Sequence, residues 1–300
     1  MQNDERAGML YALAGFSILS VGDAVVKSMA GDWPVTAVAA LRFAIGAIAL
    51  SALLVVRQGR RSLMPDHPWL QIGRGTCLAF STLAFFAAIF ILPLAETMAI
   101  TFVSPVLTAL LSGPLLGERV RPAVWFASLA ALGGVSIILR PNLAEVGWPA
   151  VLPLIAAIFF SLMIILNRAS AGKGSALSMQ AYIAVVSAPI LIVAAFGADW
   201  AGFDGFEIGM PDWSVAVRCA IVAATASTAH WLTYIGTTKA GAAQIAPASY
   251  VQILVASVLG WLFFDDVPDI LTVVGAAIII GAGLYLWRDS RKTASPATSV

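Results

Sequence analysis

Apolar residues fill this chain in long runs that are separated by short polar connections. A helix that crosses about 30 Å of hydrocarbon needs about 20 consecutive, mostly apolar residues. Ten runs meet this length, at residues 8–28, 34–56, 71–92, 94–115, 121–140, 147–167, 177–198, 214–238, 242–264 and 268–287. The pattern predicts an all-α, polytopic membrane protein with ten transmembrane helices.

The second half of the chain repeats the pattern of the first half. A step of 147 residues places Glu118 on Asp265, and a step of 141 residues places Lys27 on Arg168. Both halves hold a long apolar helix, an acidic hinge and a second, glycine-rich helix. We therefore expect two five-helix repeats, and duplicated hydrophobic spans are typical of secondary transporters.

The basic residues indicate how the helices are oriented. With a cytoplasmic N-terminus, thirteen Lys and Arg residues fall on the inner side, whereas the outer side holds only Lys27, Arg140 and Arg218. Cytoplasmic loops carry the excess of positive charge in membrane proteins. We therefore expect a protein of the cell inner membrane with both termini on the cytoplasmic side. Because five is odd, the repeats, residues 1–142 and 143–300, enter the membrane upside down relative to each other. Such inverted repeats suit alternating access.

Composition supports a membrane environment and excludes several other classes. Hydrophobic residues make up 60% of the chain and charged residues only 11%, too few to cover a soluble protein. The net charge of +1 argues against a nucleic-acid partner. Two isolated cysteines, Cys77 and Cys219, predict neither a disulfide nor a metal site. We expect no cofactor, and we expect a small-molecule substrate and the lipid bilayer as partners. The first run is expected to be retained rather than cleaved as a signal peptide. The oligomeric state stays open, and a monomer is one possibility.

Several residues together carry a resemblance to a known family. They are Arg42 in the second span, the pair Ser104-Pro105, the run Leu116-Gly117-Glu118-Arg119 and the pair Gly133-Gly134. This pattern resembles the drug/metabolite transporter superfamily, and most closely its EamA-type members. The second repeat departs from it at Asp265-Asp266, where a Gly-Glu pair is common. The resemblance implies a ten-helix inner-membrane carrier that exports amino acids, including aromatic ones, or other small metabolites through a central cavity.

Four charged residues lie within the predicted spans. Ionisable groups inside a membrane are costly, so each needs a structural or functional reason. Asp23 and Lys27 are one turn apart and can form an i,i+4 pair, while Arg42 and Glu96 lie in the outer third of the second and fourth spans. We predict that these four residues gate or couple transport, or meet an amino or carboxylate group of the substrate. The alternative is a structural ion pair near the headgroups, with Lys27 snorkelling.

Prolines and glycines in the spans predict bends and close helix contacts. Pro105 and Pro247 can kink their helices and are candidate gating hinges, with a static bend as the alternative. Seven glycines let helix backbones approach closely, namely Gly113, Gly117, Gly133, Gly134, Gly275, Gly281 and Gly283.

The predicted substrate-binding residues combine aromatic rings with hydroxyl, amide and carboxylate groups. They are Ser20, Asp23, Thr82, Phe86, Thr101, Trp231, Tyr234, Tyr250 and Gln252. Such a lining suits an amphipathic, partly apolar solute. For any single ring, contact with lipid or with a neighbouring helix is the alternative. His230, next to Trp231, favours a packing role over proton relay.

Other functional classes receive less support from the sequence. A nucleotide-sugar or phosphate-ester exchanger needs several embedded cations, and only Arg42 qualifies; a drug exchanger of the same superfamily stays open. The chain has no His-Glu-x-x-His or Gly-x-Ser-x-Gly motif, so we expect no catalytic residues and no enzyme. A channel would show a continuous polar stripe. The absence of an ATP-binding loop leaves gradients or facilitated diffusion as the source of energy.

Overall fold

The computed structural model describes residues 2–116, 122–170, 173–240 and 246–294, and within these residues the secondary structure is helical without β-strands. The α-helices are α1 (Gln2–Lys27), α2 (Val35–Gln58), α3 (Pro68–Ile91), α4 (Leu94–Thr101), α5 (Ser104–Leu116), α6 (Pro122–Glu145), α7 (Leu152–Ala169), α8 (Ala176–Trp200), α9 (Trp213–Ala240), α10 (Val251–Phe264) and α11 (Ile270–Ala294). Single 3-10 turns occur at Arg60–Leu63, Trp148–Val151 and Ala246–Tyr250.

Most of these helices are membrane spans by length and composition. Seven helices of the described chain are long and apolar enough to cross a bilayer, and three apolar segments are shorter, at Leu94–Thr108, Pro122–Ile138 and Ala248–Phe264. All ten fall on the runs that the hydrophobic pattern predicted. The prediction of an all-α, polytopic membrane protein is therefore confirmed.

The helix contacts follow the repeat. If each of the first five spans is replaced by its equivalent among the last five, and the reverse, the same set of helix pairs results. Helix α1 packs along α9, as α7 packs along α3, and α1 contacts α10, as α7 contacts α4 and α5. The pairs α2–α8 and α6–α11 map onto themselves in the same exchange. The contacts between helices thus have the arrangement of a pseudo-two-fold axis that passes between the two sets.

The fourth span is broken, in contrast to the continuous helix predicted at 94–115. Helix α4 ends at Thr101 and α5 begins at Ser104, with turns at Phe102 and Val103 between them. Pro105 causes the break, because proline disfavours helical geometry at the preceding residue and has no N–H to donate to the previous turn. A 3-10 turn, Ala246–Tyr250, directly precedes α10. We call this turn and the one between α4 and α5 the two breaks; both fall on predicted membrane spans, where irregular backbone can line a cavity.

Only some of the seven glycines form close helix contacts, and Gly117 lies outside the described residues. A Cβ atom on Gly134 would lie 2.8 Å from the Gly275 carbonyl oxygen, so these two glycines let α6 and α11 touch through their backbones. A Cβ on Gly283 would lie 1.6 Å from the Tyr250 hydroxyl oxygen. The prediction was wrong for Gly133 and Gly281, because a Cβ there meets no described atom within 4 Å. A glycine needs a facing backbone, as well as its place in a span, to act in packing.

Candidate functional site

Ionisable side chains on three helices lie within electrostatic range of one arginine. Arg42 on α2 lies within electrostatic range of both Asp23 on α1 and His230 on α9. The close packing of α9 along α1 and its contact with α2 bring these residues together. Asp23 and Arg42 are both half-buried.

Aromatic rings hold the Arg42 guanidinium in place. Its Cζ atom lies 4.5 Å from the ring centroid of Phe43 and 5.5 Å from that of Phe86. Both phenylalanines are buried, with 7% and 3% of their surface exposed. A guanidinium that stacks on aromatic rings keeps its N–H groups free at the edge, where they match a carboxylate in a bidentate manner. Phe86, a predicted binding residue, therefore contacts Arg42.

Arg42 and Asp23 are not paired with each other or with other side chains. Within the described residues neither forms a hydrogen bond or an ion pair within 4.0 Å. The possible i,i+4 pair of Asp23 with Lys27 does not form, because Lys27 turns to Asp266 instead. Embedded charges without partners are costly unless a ligand or water satisfies them. Two groups of opposite nominal charge thus lie within electrostatic range of each other without a direct pair.

Lys27 connects four helix ends on one side of the bundle, which we call the Lys27 side. Its Nζ donates to Asp266 Oδ2 at 2.6 Å and to the Leu92 carbonyl at 2.8 Å, and lies 5.3 Å from the Phe264 ring centroid. The Leu94 N–H donates to the same Asp266 oxygen at 3.3 Å. The sequence pointed to Lys27, whereas Asp266 had been noted only as a departure from the family pattern.

Both helix breaks are held by serine hydroxyls. Ser20 Oγ on α1 donates to the Gln252 carbonyl at the start of α10 at 3.1 Å. Ser161, which the 141-residue step places on Ser20, donates to the Ser104 carbonyl at the start of α5 at 2.9 Å. Ser20 is fully buried, so it acts on the backbone of α10 in this conformation.

The two breaks also meet each other in the interior. The rings of Phe102 and Tyr250 lie 5.5 Å apart between centroids, at an interplanar angle of 44°. Phe102 lies in the first break and Tyr250 ends the 3-10 turn before α10. Tyr250, a predicted binding residue, thus packs between the breaks and against Gly283.

The other predicted site residues do not share one environment. Thr82 and Glu96 are buried, and Thr101 donates its hydroxyl to the Thr97 carbonyl at 2.7 Å. Trp231 is 63% exposed and lies about 100° around the α9 axis from His230. The side chains of Tyr234 and Pro247 lie outside the described part of the structure.

A buried arginine, Arg74, lies outside this group. Arg74 on α3, 4% exposed, donates to the side-chain oxygens of Asn167 and Gln71 and to Met179 Sδ at 3.1 Å. These neutral partners come from α3, α7 and α8. These partners satisfy the guanidinium, so Arg74 holds three helices together rather than facing a solute.

In the described part of the chain, no three His, Cys, Asp or Glu side chains come together as metal ligands.

The chain matches a known family over nearly its whole length. The model of the EamA-like transporter family matches twice, at residues 6–140 and 147–287. A riboflavin transporter of Rhizobium johnstonii is 26% identical over 84% of this chain and 81% of its own length. An S-adenosylmethionine uptake transporter of Rickettsia prowazekii is 24% identical over 96% and 95% of the two chains. The pseudopaline exporter CntI of Pseudomonas aeruginosa is 25% identical over 95% and 98%.

A solved crystal structure shares the fold. It superposes with a TM-score of 0.63 over 95% of this chain and 99% of the other, at 20% sequence identity. The likeness extends through both sets of five spans.

Proposed function

Because the chain belongs to the EamA-like transporter family, we propose that it exports small zwitterionic metabolites, amino acids with apolar or aromatic side chains first among them. The membership confirms the family resemblance and makes the protein a transporter of small molecules rather than an enzyme. The substrate class, alternating access and the direction of transport are our proposals.

The observation that carries this proposal is the unpaired couple of Arg42 and Asp23. A zwitterion brings a carboxylate and an ammonium group on one carbon, and these match in charge a guanidinium and a carboxyl group that lie within electrostatic range of each other. The rings of Phe43 and Phe86 fix the guanidinium, so a carboxylate meets an arginine that is already oriented. A net-neutral solute also leaves the combined charge of the site unchanged, which limits the cost of moving it through the membrane.

The named substrates of the relatives do not decide between solutes. Riboflavin, S-adenosylmethionine and pseudopaline are three different kinds of molecule, and their transporters include an uptake protein and an exporter. The choice of substrate therefore rests on residues of this chain. A phosphate ester would need further embedded cations, and Arg74 is already satisfied by neutral groups.

Orientation and repeat organisation complete the proposal. The excess of basic residues favours cytoplasmic termini in the inner membrane, which places the Lys27 side outside the cytoplasm. Residues 1–142 and 143–300 form the two inverted repeats. The pairing of helices described above supports this division. Pro105, Pro247 and Glu96 belong to the moving parts, and Trp231, Tyr234 and Thr82 to the wall that meets the side chain of the cargo.

Counterflow into proteoliposomes tests the substrate class. Vesicles loaded with unlabelled phenylalanine are expected to accumulate labelled phenylalanine, leucine or methionine, with threonine exchanged more slowly because less of its surface is apolar. Protein-free vesicles and vesicles loaded with a sugar phosphate serve as controls. If no amino acid exchanges faster than in protein-free vesicles, the substrate class is wrong.

A further inference from the structure

We propose that Lys27 and Asp266 form a lock that closes the bundle on the Lys27 side. Breaking this ion pair then shifts the balance between conformations towards the one that is open on the Lys27 side. This inference concerns the balance between conformations and goes beyond the identity of the substrate.

The lock joins elements that must separate if the bundle opens on this side. Lys27 is the last residue of α1, and Asp266 follows the end of α10. The contacts of the pair with the Leu92 carbonyl and the Leu94 N–H attach the ends of α3 and α4 as well. One ion pair therefore links helices of both repeats at a single point.

Burial gives the pair its strength. The side chains of Lys27 and Asp266 are only 13% and 18% exposed, and they are 2.6 Å apart. A charge that loses its partner in such a place stays partly desolvated, so removing either residue destabilises the closed arrangement. The backbone contacts also fix the polarity, because the ammonium group faces a carbonyl and the carboxylate faces an N–H.

The positions that the repeat places on Lys27 and Asp266 carry different charges. In an inverted repeat, a contact that closes one side has a counterpart that closes the other side. The counterparts of Lys27 and Asp266, at steps of 141 and 147 residues, are Arg168 and Arg119. Two residues of like charge cannot form an ion pair, so the pairing of Lys27 with Asp266 is not repeated at these two positions.

The serine contacts at the helix breaks behave differently. The bond from Ser20 to the Gln252 carbonyl and the bond from Ser161 to the Ser104 carbonyl exchange with each other when the repeats exchange. Both are therefore compatible with either conformation and act as pivots. The Lys27–Asp266 pair differs from them, because its register positions hold two arginines.

Spin-label distances across the Lys27 side test the lock. Labels are placed at Met210→Cys, in the loop before α9, and at Ile270→Cys, at the start of α11, where the native residues are 99% and 78% exposed. Both native cysteines are replaced, with Cys77→Ser and Cys219→Ala. The measurement is made by pulsed electron resonance in nanodiscs without substrate, so its outcome does not depend on which metabolite is carried.

We expect one dominant short distance with the lock intact and an added longer distance in Lys27→Gln and in Asp266→Asn. Loss of one partner of a partly buried pair predicts at least about a tenfold rise in the ratio of open to closed populations. Asp32→Asn is the matched control, because it breaks the Arg218–Asp32 ion pair on the same side. That pair joins α9 to the turn after α1, two helices that already pack together, so the distance should not change.

The outcomes separate clearly. A longer distance in both lock variants, with none in Asp32→Asn, supports the lock. Unchanged distances in Lys27→Gln and Asp266→Asn would overturn it, and so would an equal change in Asp32→Asn, since any lost ion pair would then have the same effect.

Discussion

Replacing Arg42 with glutamine is expected to lower amino acid exchange by at least about a hundredfold, as the loss of one partner from a desolvated charge pair predicts. The guanidinium stacks on the Phe43 and Phe86 rings and has no other partner in the described residues, so its hydrogen-bonding capacity is available to a solute. Glutamine keeps a similar length but loses the charge and the bidentate fork. The initial rate of phenylalanine counterflow measures the effect.

Two further substitutions separate binding from folding. Arg42→Lys keeps the charge without the planar fork, and we expect an intermediate rate with a raised half-saturation concentration. Arg57→Gln makes the same change at an exposed arginine of the same helix and should leave exchange unchanged. Exchange by Arg42→Gln at the rate of the unmodified protein would show that Arg42 does not contact the solute.

Replacing Gly275 with valine is expected to prevent α6 and α11 from packing together. A Cβ atom at this position would lie 2.4 Å from Ile138 Cγ1 and 2.7 Å from the Gly134 carbonyl oxygen. Backbone atoms cannot move aside without separating the helices, and an overpacked contact typically costs about 1–3 kcal/mol, more where the backbone must shift. Thermal unfolding followed by gel filtration should show a clearly lower melting temperature or no folded peak.

Gly281→Val is the matched control on the same helix. A Cβ at Gly281 meets no described atom within 4 Å, so the same substitution there should leave the melting temperature close to that of the unmodified protein. Equal destabilisation by both variants would mean that the loss of helix flexibility, and not the α6–α11 contact, determines the result.

The sequence predicted the membrane spans well because each depends on a local pattern. Seven long helices and three shorter apolar segments fall on the ten predicted runs. The break between α4 and α5 was the main departure, although Pro105 was identified as a hinge. A short turn inside an apolar run does not change the hydrophobicity of that run. Composition therefore cannot distinguish a kinked helix from an interrupted one.

The candidate site was predicted only as separate residues. Embedded charges are rare, so Asp23, Lys27 and Arg42 could be recognised one at a time. Their partners could not, because contacts such as that of Lys27 with Asp266 join residues far apart in sequence. Phe43 was missed for the same reason, since an aromatic residue in an apolar span has no signal that separates an arginine platform from lipid contact.

Competition by three matched compounds tests the central claim most directly. Phenylalanine, 3-phenylpropionate and phenethylamine share the same ring, but only phenylalanine carries both the carboxylate for Arg42 and the ammonium group for Asp23. In proteoliposome counterflow, phenylalanine is expected to inhibit at a concentration at least about tenfold lower than either single-charge analogue, as one unpaired charge in the site predicts. Equal inhibition by all three compounds would contradict recognition of a zwitterion by Arg42 and Asp23.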